Sequence, residues 1–239
     1  MSNSSKDRRV TQFSVISSPS VSPSVSPSIA PSTPVSMAVI RARSIYARAA
    51  ALLFMLLCLQ VPAAQAREQE AIFAGGCFWC MEALYQEIEG VSAVVSGFSG
   101  GALRNPTYNG NHTGHYEVVR VTYDPTVISY QQLLDLYWVN IDPFDNRGQF
   151  CDKGPSYRSA IFAGSPAERV LAEKSKQVVM ERFAGQLVVT EILDAMAFYP
   201  VEASHQDYYQ KNPLRYKFYR TSCRRDGRLE TIWGDDAKH

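Results

Sequence analysis

The stretch AIFAGGCFWCMEALYQEI (residues 71–88) determines how this chain positions its most reactive group. The apolar run 71–74 predicts a strand, residues 78–87 predict a helix, and two glycines between them permit a tight turn. Cys77 therefore stands at a helix N-terminus, where unpaired backbone N–H groups and the helix dipole favour a thiolate. With two large aromatic residues beside it, this cysteine is predicted to be a nucleophilic sulfur in an apolar setting.

Strand-like and helix-like segments alternate along the rest of the domain. β-Branched and aromatic residues predict strands, while Ser129 and Ser165 each have the sequence signature of a helix N-cap. The predicted strands are 91–98, 116–123, 157–162 and 187–193, and the predicted helices are 129–139 and 165–183. This order predicts an α+β fold with a ferredoxin-like βαββαβ core and irregular N- and C-terminal extensions.

The first 66 residues differ in composition from the rest of the chain. Residues 1–36 are rich in Ser, Pro and Val and are predicted to be a disordered extension upstream of Met37. Residues 37–66 combine arginines, a short apolar run and an Ala-x-Ala ending, which is typical of a secretory signal peptide. We therefore expect export to a periplasm or to the outside of the cell, with an organellar transit peptide as the alternative. The predicted folded domain is 67–239.

Charge and hydropathy argue against two classes of partner. Residues 67–239 contain 18 basic and 22 acidic residues, a net charge of about −4, which argues against nucleic-acid binding. The apolar run that precedes them, 49–59, is too short for a membrane span. We expect no nucleic-acid partner and no stable membrane association.

Four cysteines follow the predicted signal peptide: Cys77, Cys80, Cys151 and Cys223. An even number in an exported protein often indicates structural disulfides, an interpretation that suits Cys151 and Cys223 better than Cys77. No second Cys-x-x-Cys accompanies the first, and the single His-x-x-His of His112 and His115 is weak evidence for a metal site. We therefore predict no bound metal.

Several longer motifs occur together in a fixed order. They are GGCFWCMEA, NPTY, TGHYEVVRVTYDP, QFCDKGPSYRSAIF, FYPVEASHQDYYQKNP and RYKFYR. In order and spacing they resemble the motifs of the A-type peptide methionine sulfoxide reductases, and the resemblance covers residues 72–234. Joint occurrence of these motifs is far more specific than any one of them, and it implies that residues 67–239 form a methionine sulfoxide reductase domain.

The resemblance implies a set of site residues around Cys77, which would attack the sulfur of methionine sulfoxide. Phe78 and Trp79 would hold the methyl group of the substrate. Glu117 would supply a proton to the sulfoxide oxygen, because that oxygen is a poor leaving group until it is protonated. The remaining members are Tyr108 and Tyr157, which would hydrogen-bond the same oxygen, and Asp152, which would order the site.

The implied reaction is the reduction of protein-bound and free methionine-S-sulfoxide to methionine through a Cys77 sulfenic acid. A second thiol then condenses with that acid to form an intramolecular disulfide. The chain lacks the glycine-rich tail with two cysteines that is common in the family, so we favour Cys223 as the resolving thiol, with Cys80 and Cys151 as alternatives. We expect no cofactor, an external thioredoxin-like dithiol as reductant, and a monomer.

Two other classes of function fit parts of the sequence. Cys77 and Cys80 form a Cys-x-x-Cys after a strand, as in exported thioredoxin-like thiol–disulfide oxidoreductases, although the bulky aromatics between them would crowd a protein disulfide. An inactive binding module held together by disulfides is the non-enzyme alternative. Neither class gives Glu117 or Tyr157 a role.

Overall fold

The computed structural model describes residues 67–237, so the predictions for residues 1–66 lie outside the described part of the chain. Its strands are β1 (Gln69–Gly75), β2 (Val91–Ser99), β3 (Tyr116–Tyr123), β4 (Gly148–Gln149), β5 (Asp152–Lys153), β6 (Ser159–Ala163), β7 (Glu191–Asp194) and β8 (Tyr199–Pro200). Its helices are α1 (Phe78–Gln86), α2 (Tyr130–Trp138), α3 (Pro166–Arg182), α4 (Tyr208–Lys211), α5 (Pro213–Ser222) and α6 (Arg225–Trp233).

One six-stranded sheet has the order β7-β6-β1-β3-β2-β8. Within it, β6, β1, β3 and β2 are successive neighbours, and each pair is antiparallel. Since α1 connects β1 to β2 and α2 lies between β3 and β6, this is the connectivity of a ferredoxin-like core, and the predicted fold class is confirmed. β7 adds a parallel neighbour to β6, and β8 adds a short antiparallel edge to β2.

Two predicted helix starts are confirmed at the level of hydrogen bonds. The Gln132 amide donates to Ser129 Oγ at 3.3 Å, and the Ser129 amide donates to the Gln132 side chain at 2.9 Å. The Glu168 amide donates to Ser165 Oγ at 3.2 Å. Each cap stabilises its helix by about 1 kcal/mol, so α2 and α3 begin where the local sequence dictates.

The C-terminal extension differs from its prediction, because it contains α4, α5 and α6 instead of irregular structure. Leu229 and Trp233 are buried, but most other residues of α5 and α6 are polar, which obscures the helical period in the sequence. Two strands also start later than predicted. A 3-10 turn over 155–157 delays β6 to Ser159, and β7 begins only at Glu191. Among the described residues, no helix combines the length and the apolar character needed to span a bilayer.

The main core lies between one face of the sheet and helices α1, α2 and α3. Phe73 of β1 stacks on Tyr85 of α1 and on Tyr137 of α2, with ring centroids 5.4 and 5.3 Å apart. Tyr137 also donates a 2.8 Å hydrogen bond to the Ala74 carbonyl. Burial of each such side chain contributes roughly 1.5–3 kcal/mol. These contacts fix β1 and α1 on both sides of the turn that carries Cys77.

Candidate active site

The turn between β1 and α1 places Cys77 at the N-cap of the helix, as the sequence predicts. Gly76 in this turn has φ +86°, and a Cβ atom there would lie 2.6 Å from Gln149 Cβ. Only glycine fits this position, because the backbone is left-handed and Gln149 of β4 is in contact. The Cys77 side chain is only 6% exposed, so substrate must enter a nearly closed site.

Glu117 lies on β3, a central strand, opposite Phe98 of β2, and is 1% exposed. It is therefore a buried acid in the middle of the sheet. The Phe78 amide donates a 3.1 Å hydrogen bond to Glu117 Oε2. Burial raises the pKa of Glu117 to about 8, the negative charge of Asp152 adds to this effect, and donors from Phe78 and Tyr157 oppose it. The side chain is thus a protonated acid at neutral pH.

Tyr108 and Tyr157 flank this acid, and both are half-buried. Burial raises the pKa of Tyr108 to about 12, followed by the charges of Glu117 and Cys77. Burial, followed by the charge of Glu117, also raises the pKa of Tyr157. Both hydroxyls therefore stay protonated and available as hydrogen-bond donors. The structure brings the two predicted tyrosines to the predicted acid.

Phe78 and Trp79 occupy different layers of the site. Phe78 is completely buried, with ring centroids 5.9 Å from those of Phe98 and Tyr108. Trp79 is partly exposed and stacks on Tyr208 with the ring centroids 3.7 Å apart. Trp79 therefore offers an aromatic surface to a ligand, while Phe78 supports the wall from behind.

Sequence reasoning assigned no role to three further aromatic residues of the site. Tyr208 stacks on Trp79, and the ring centroids of His205 and Tyr108 lie 3.9 Å apart. Tyr219 of α5 meets Trp79 edge-on at 5.9 Å. The only sequence signal was the aromatic density of the motifs FYPVEASHQDYYQKNP and RYKFYR, which gives no indication of which rings face the site.

Asp152 begins β5 and is held by the C-terminal helices. The Tyr219 hydroxyl donates to Asp152 Oδ2. Burial raises the pKa of Asp152, while the Tyr219 hydrogen bond and the charge of Arg225 oppose the increase. Arg225 is itself buried, donates to the Asn140 carbonyl at 2.7 Å and also reaches the Gly75 carbonyl. Helices α5 and α6 therefore hold Asp152, the residue predicted to order the site, in place.

Cys77 and Cys80 are free thiols, both buried and in contact with each other. Burial raises the pKa of Cys77, and its hydrogen bond to Cys80 adds to the increase. The same hydrogen bond lowers the pKa of Cys80 to about 6, against the effect of burial and with help from the charges of Arg225 and Arg220. Burial therefore opposes the thiolate that the helix N-terminus favours at Cys77, and the hydrogen bond between the two sulfurs makes Cys80 the more acidic thiol.

Cys151 and Cys223 form a disulfide that joins positions 72 residues apart in sequence, with Cα atoms 4.9 Å apart. The thiol favoured from sequence as the resolving group is thus bonded to another cysteine in this state. Cys80, one of the two alternatives, is the thiol that contacts Cys77. Cys151 is exposed and Cys223 is partly exposed, whereas the other pair is buried.

The two histidines considered as metal ligands have structural roles instead. His115 is buried, accepts from the Gly101 amide at 3.2 Å and lies 2.8 Å from the Leu103 carbonyl. His112 lies 3.1 Å from the Thr107 carbonyl and stacks on Phe98. A cavity of about 540 Å³ lies between α2 and α3, and none of its lining residues belongs to the site around Cys77.

A buried thiol pair, a protonated acid and two tyrosine hydroxyls define a cysteine-based oxidoreductase. The family described as peptide methionine sulfoxide reductase matches residues 69–237, and this chain belongs to that family. The relatives are of the A type, so the chain is an A-type enzyme that reduces methionine sulfoxide.

Two relatives and two solved structures illustrate the similarity. Peptide methionine sulfoxide reductase MsrA 2 of Caulobacter vibrioides is 50% identical over 171 residues, which cover 70% of this chain and 87% of the relative. The MsrA of Bacillus licheniformis is 49% identical over 172 residues, covering 70% and 95%. Reduced Mxr1 of Saccharomyces cerevisiae has a TM-score of 0.57 at 28% identity, covering 62% and 88%. Methionine sulfoxide reductase A of Corynebacterium diphtheriae has a TM-score of 0.56 at 33% identity, covering 63% and 78%.

Proposed function

We propose that the enzyme reduces the S epimer of methionine sulfoxide, free or in proteins, through a Cys77 sulfenic acid and a Cys77–Cys80 disulfide. The observation that carries this proposal is the position of Glu117. Its burial raises its pKa to about 8, and it accepts a hydrogen bond from the residue next to Cys77. A protonated acid is thereby available beside the nucleophile at neutral pH.

In the first step, the Cys77 sulfur attacks the sulfoxide sulfur while Glu117 donates its proton to the sulfoxide oxygen. The Cys77 proton passes to the Cys80 sulfur across their hydrogen bond, which produces the attacking thiolate. The oxygen ends on Cys77 as a sulfenic acid, and the substrate leaves as the thioether. The substrate sulfur gains two electrons and Cys77 loses two.

In the second step, the Cys80 sulfur attacks the sulfenic acid, an S–S bond forms and water leaves. The contact between the two sulfurs supports Cys80, as does the 3.1 Å hydrogen bond from the Cys80 amide to the Cys77 carbonyl. This assignment replaces the preference for Cys223, whose sulfur is bonded to Cys151.

Reduction of the buried Cys77–Cys80 disulfide after each turnover requires a thiol that reaches both this disulfide and solvent. We propose that the reduced Cys151–Cys223 dithiol exchanges with the Cys77–Cys80 disulfide, restores both buried thiols and becomes a disulfide itself. Tyr219 supports this path, because its hydroxyl bonds Asp152, next to Cys151, and also hydrogen-bonds Cys77. An external thioredoxin-like dithiol would then reduce the second disulfide at the exposed Cys151 sulfur.

Export through residues 37–66 is part of the proposal, and it is supported by the composition of that segment. N-terminal sequencing of the protein from its native host tests it. A mature N-terminus near Arg67 supports export, whereas an N-terminus before Met37 shows that residues 1–36 are translated and contradicts removal of a signal peptide. We also propose that the enzyme acts as a monomer, which sedimentation at working concentration tests.

The decisive experiment is an assay of the separated S and R epimers with a dithiol reductant. We expect turnover of the S epimer alone, and none in Cys77→Ser. Turnover of both epimers, or activity in Cys77→Ser, would refute the proposal. The thioredoxin-like alternative is disfavoured because Cys77 and Cys80 are 6% and 2% exposed, which leaves little access for a protein disulfide.

A further inference from the structure

Three potential metal ligands lie close together at the Cys151–Cys223 disulfide. One ligand atom each from Cys151, Asp152 and Cys223 lie within 4.8 Å of one another. Zn²⁺ binds thiolate sulfur at about 2.3 Å, which places two such sulfurs roughly 3.8 Å apart in a tetrahedral site. Small side-chain rotations would therefore bring all three atoms to one ion once the disulfide is reduced.

The Asp152 carboxylate is already oriented for such a role. Its Oδ2 atom accepts the hydrogen bond of the Tyr219 hydroxyl. Its Oδ1 atom lies 3.8 Å from Cys151 Sγ and faces the sulfur pair. Hydrogen-bonded partners of this kind hold ligating carboxylates in place in known metal sites.

We propose that reduction of the Cys151–Cys223 bond creates a Zn²⁺ site formed by the two thiolates and Asp152, with water as the fourth ligand. Binding would release the two thiol protons, and the oxidised protein would have no site because its sulfurs are bonded to each other. Thiolate donors favour Zn²⁺ over Mg²⁺ or Ca²⁺. Arg225, whose charge reaches Asp152, would balance the excess negative charge of the three ligands.

The position of the site determines how an ion enters it and which step a bound ion would affect. Cys151 is exposed, so an ion can reach it from solvent. If Cys151 and Cys223 recycle the enzyme as in the proposed function, bound Zn²⁺ would stop recycling while leaving the first turnover intact. Metal binding itself is independent of that function, so the two can fail separately.

The test uses the full chain with Cys77→Ser and Cys80→Ser combined, which removes the other thiol pair. The protein is reduced, freed of reductant and titrated anaerobically with Zn²⁺ against a chromophoric chelator, and with Co²⁺ as a spectroscopic probe. We expect one ion per reduced chain, a sulfur-to-Co²⁺ charge-transfer band, and no binding to the oxidised chain.

Three variants in this background identify the ligands. Cys223→Ser should abolish the charge-transfer band of a dithiolate site, and Asp152→Asn should weaken Zn²⁺ binding at least about tenfold. Asp145→Asn, which changes a neighbouring carboxylate paired with Lys153, is the matched control and should leave binding unchanged. Equal affinity in Asp152→Asn, or no binding to the reduced chain, would overturn the proposal.

Discussion

The Phe78 amide donates a 3.1 Å hydrogen bond to Oε2 of Glu117, and this contact ties the acid to the turn that carries the nucleophile. Phe78 follows Cys77 directly, while Glu117 lies 39 residues away on the central strand β3. Any shift of the turn relative to the sheet would break this hydrogen bond. The acid and the attacking sulfur are therefore held in register by this hydrogen bond before substrate arrives.

Glu117→Gln should lower the single-turnover rate of S-sulfoxide reduction about 100-fold at pH 7, because the amide still accepts from Phe78 but has no acidic proton. In the native enzyme the same rate should fall above pH 8, as Glu117 loses its proton. The measurement is rapid-quench kinetics between pH 6 and 9. Glu70→Gln, on the exposed part of β1, is the control, and an unchanged rate in Glu117→Gln would leave Glu117 without a catalytic role.

Cys80→Ser should still form about one methionine per enzyme but should accumulate Cys77 sulfenic acid. The first step should also slow, because the Cys77 proton loses its acceptor. Cys223→Ser is the matched variant and should form the Cys77–Cys80 disulfide at the native rate. Intact mass and disulfide mapping after one turnover without reductant distinguish the two. A Cys77–Cys223 bond in the native protein would contradict the assignment of Cys80.

Tyr208→Ala should raise KM for a methionine sulfoxide peptide more than it lowers kcat, because the ring supports Trp79 from a centroid distance of 3.7 Å. Loss of an aromatic pair of this kind costs about 1 kcal/mol, or roughly fivefold in KM. Tyr209→Ala removes the next ring, which packs on Tyr216 instead, and should leave KM near its native value. Equal effects of the two changes would show that the Trp79 contact is unimportant for substrate.

Glu82→Gln should stabilise the protein at pH 8 and have little effect at pH 4. Burial raises the pKa of Glu82 from 4.5 to about 7, so the folded state binds this proton more tightly than the unfolded chain. The associated stability is present below pH 4.5 and is lost as the pH rises to 7. The variant avoids that loss, and its free energy of unfolding in urea should exceed the native value by about 3 kcal/mol at pH 8. A gain at pH 4 of the same size would indicate a packing effect.

Local sequence signals predicted the turn at Cys77 and the caps at Ser129 and Ser165, because each depends on a few adjacent residues. The burial that raises the pKa of Cys77 depends on elements distant in sequence, so no local signal predicts it. The sequence does favour a structural disulfide for Cys151 and Cys223, which agrees with the observed bond. It does not fix the pairing, because four cysteines allow several connectivities and spacing does not choose among them.

The site residues that the sequence did not reveal lie in one region of the chain. Tyr208, Tyr219 and Arg225 all belong to the C-terminal region, where the sequence suggested irregular structure. Their roles depend on how α5 and α6 return to the β1–α1 turn. Motif resemblance identified the region as part of the family pattern, but only the tertiary structure shows which side chains face Trp79, Asp152 or Gly75.

The Arg225 guanidinium joins the Gly75 carbonyl, the Asn140 carbonyl and the Phe150 ring, whose centroid lies 4.3 Å away. This anchor follows the Gly75 carbonyl by 150 residues, and that separation has a consequence for biosynthesis. Translation supplies the turn that carries the nucleophile long before it supplies Arg225. The reactive cysteine therefore gains this support only after α6 has left the exit tunnel of the ribosome.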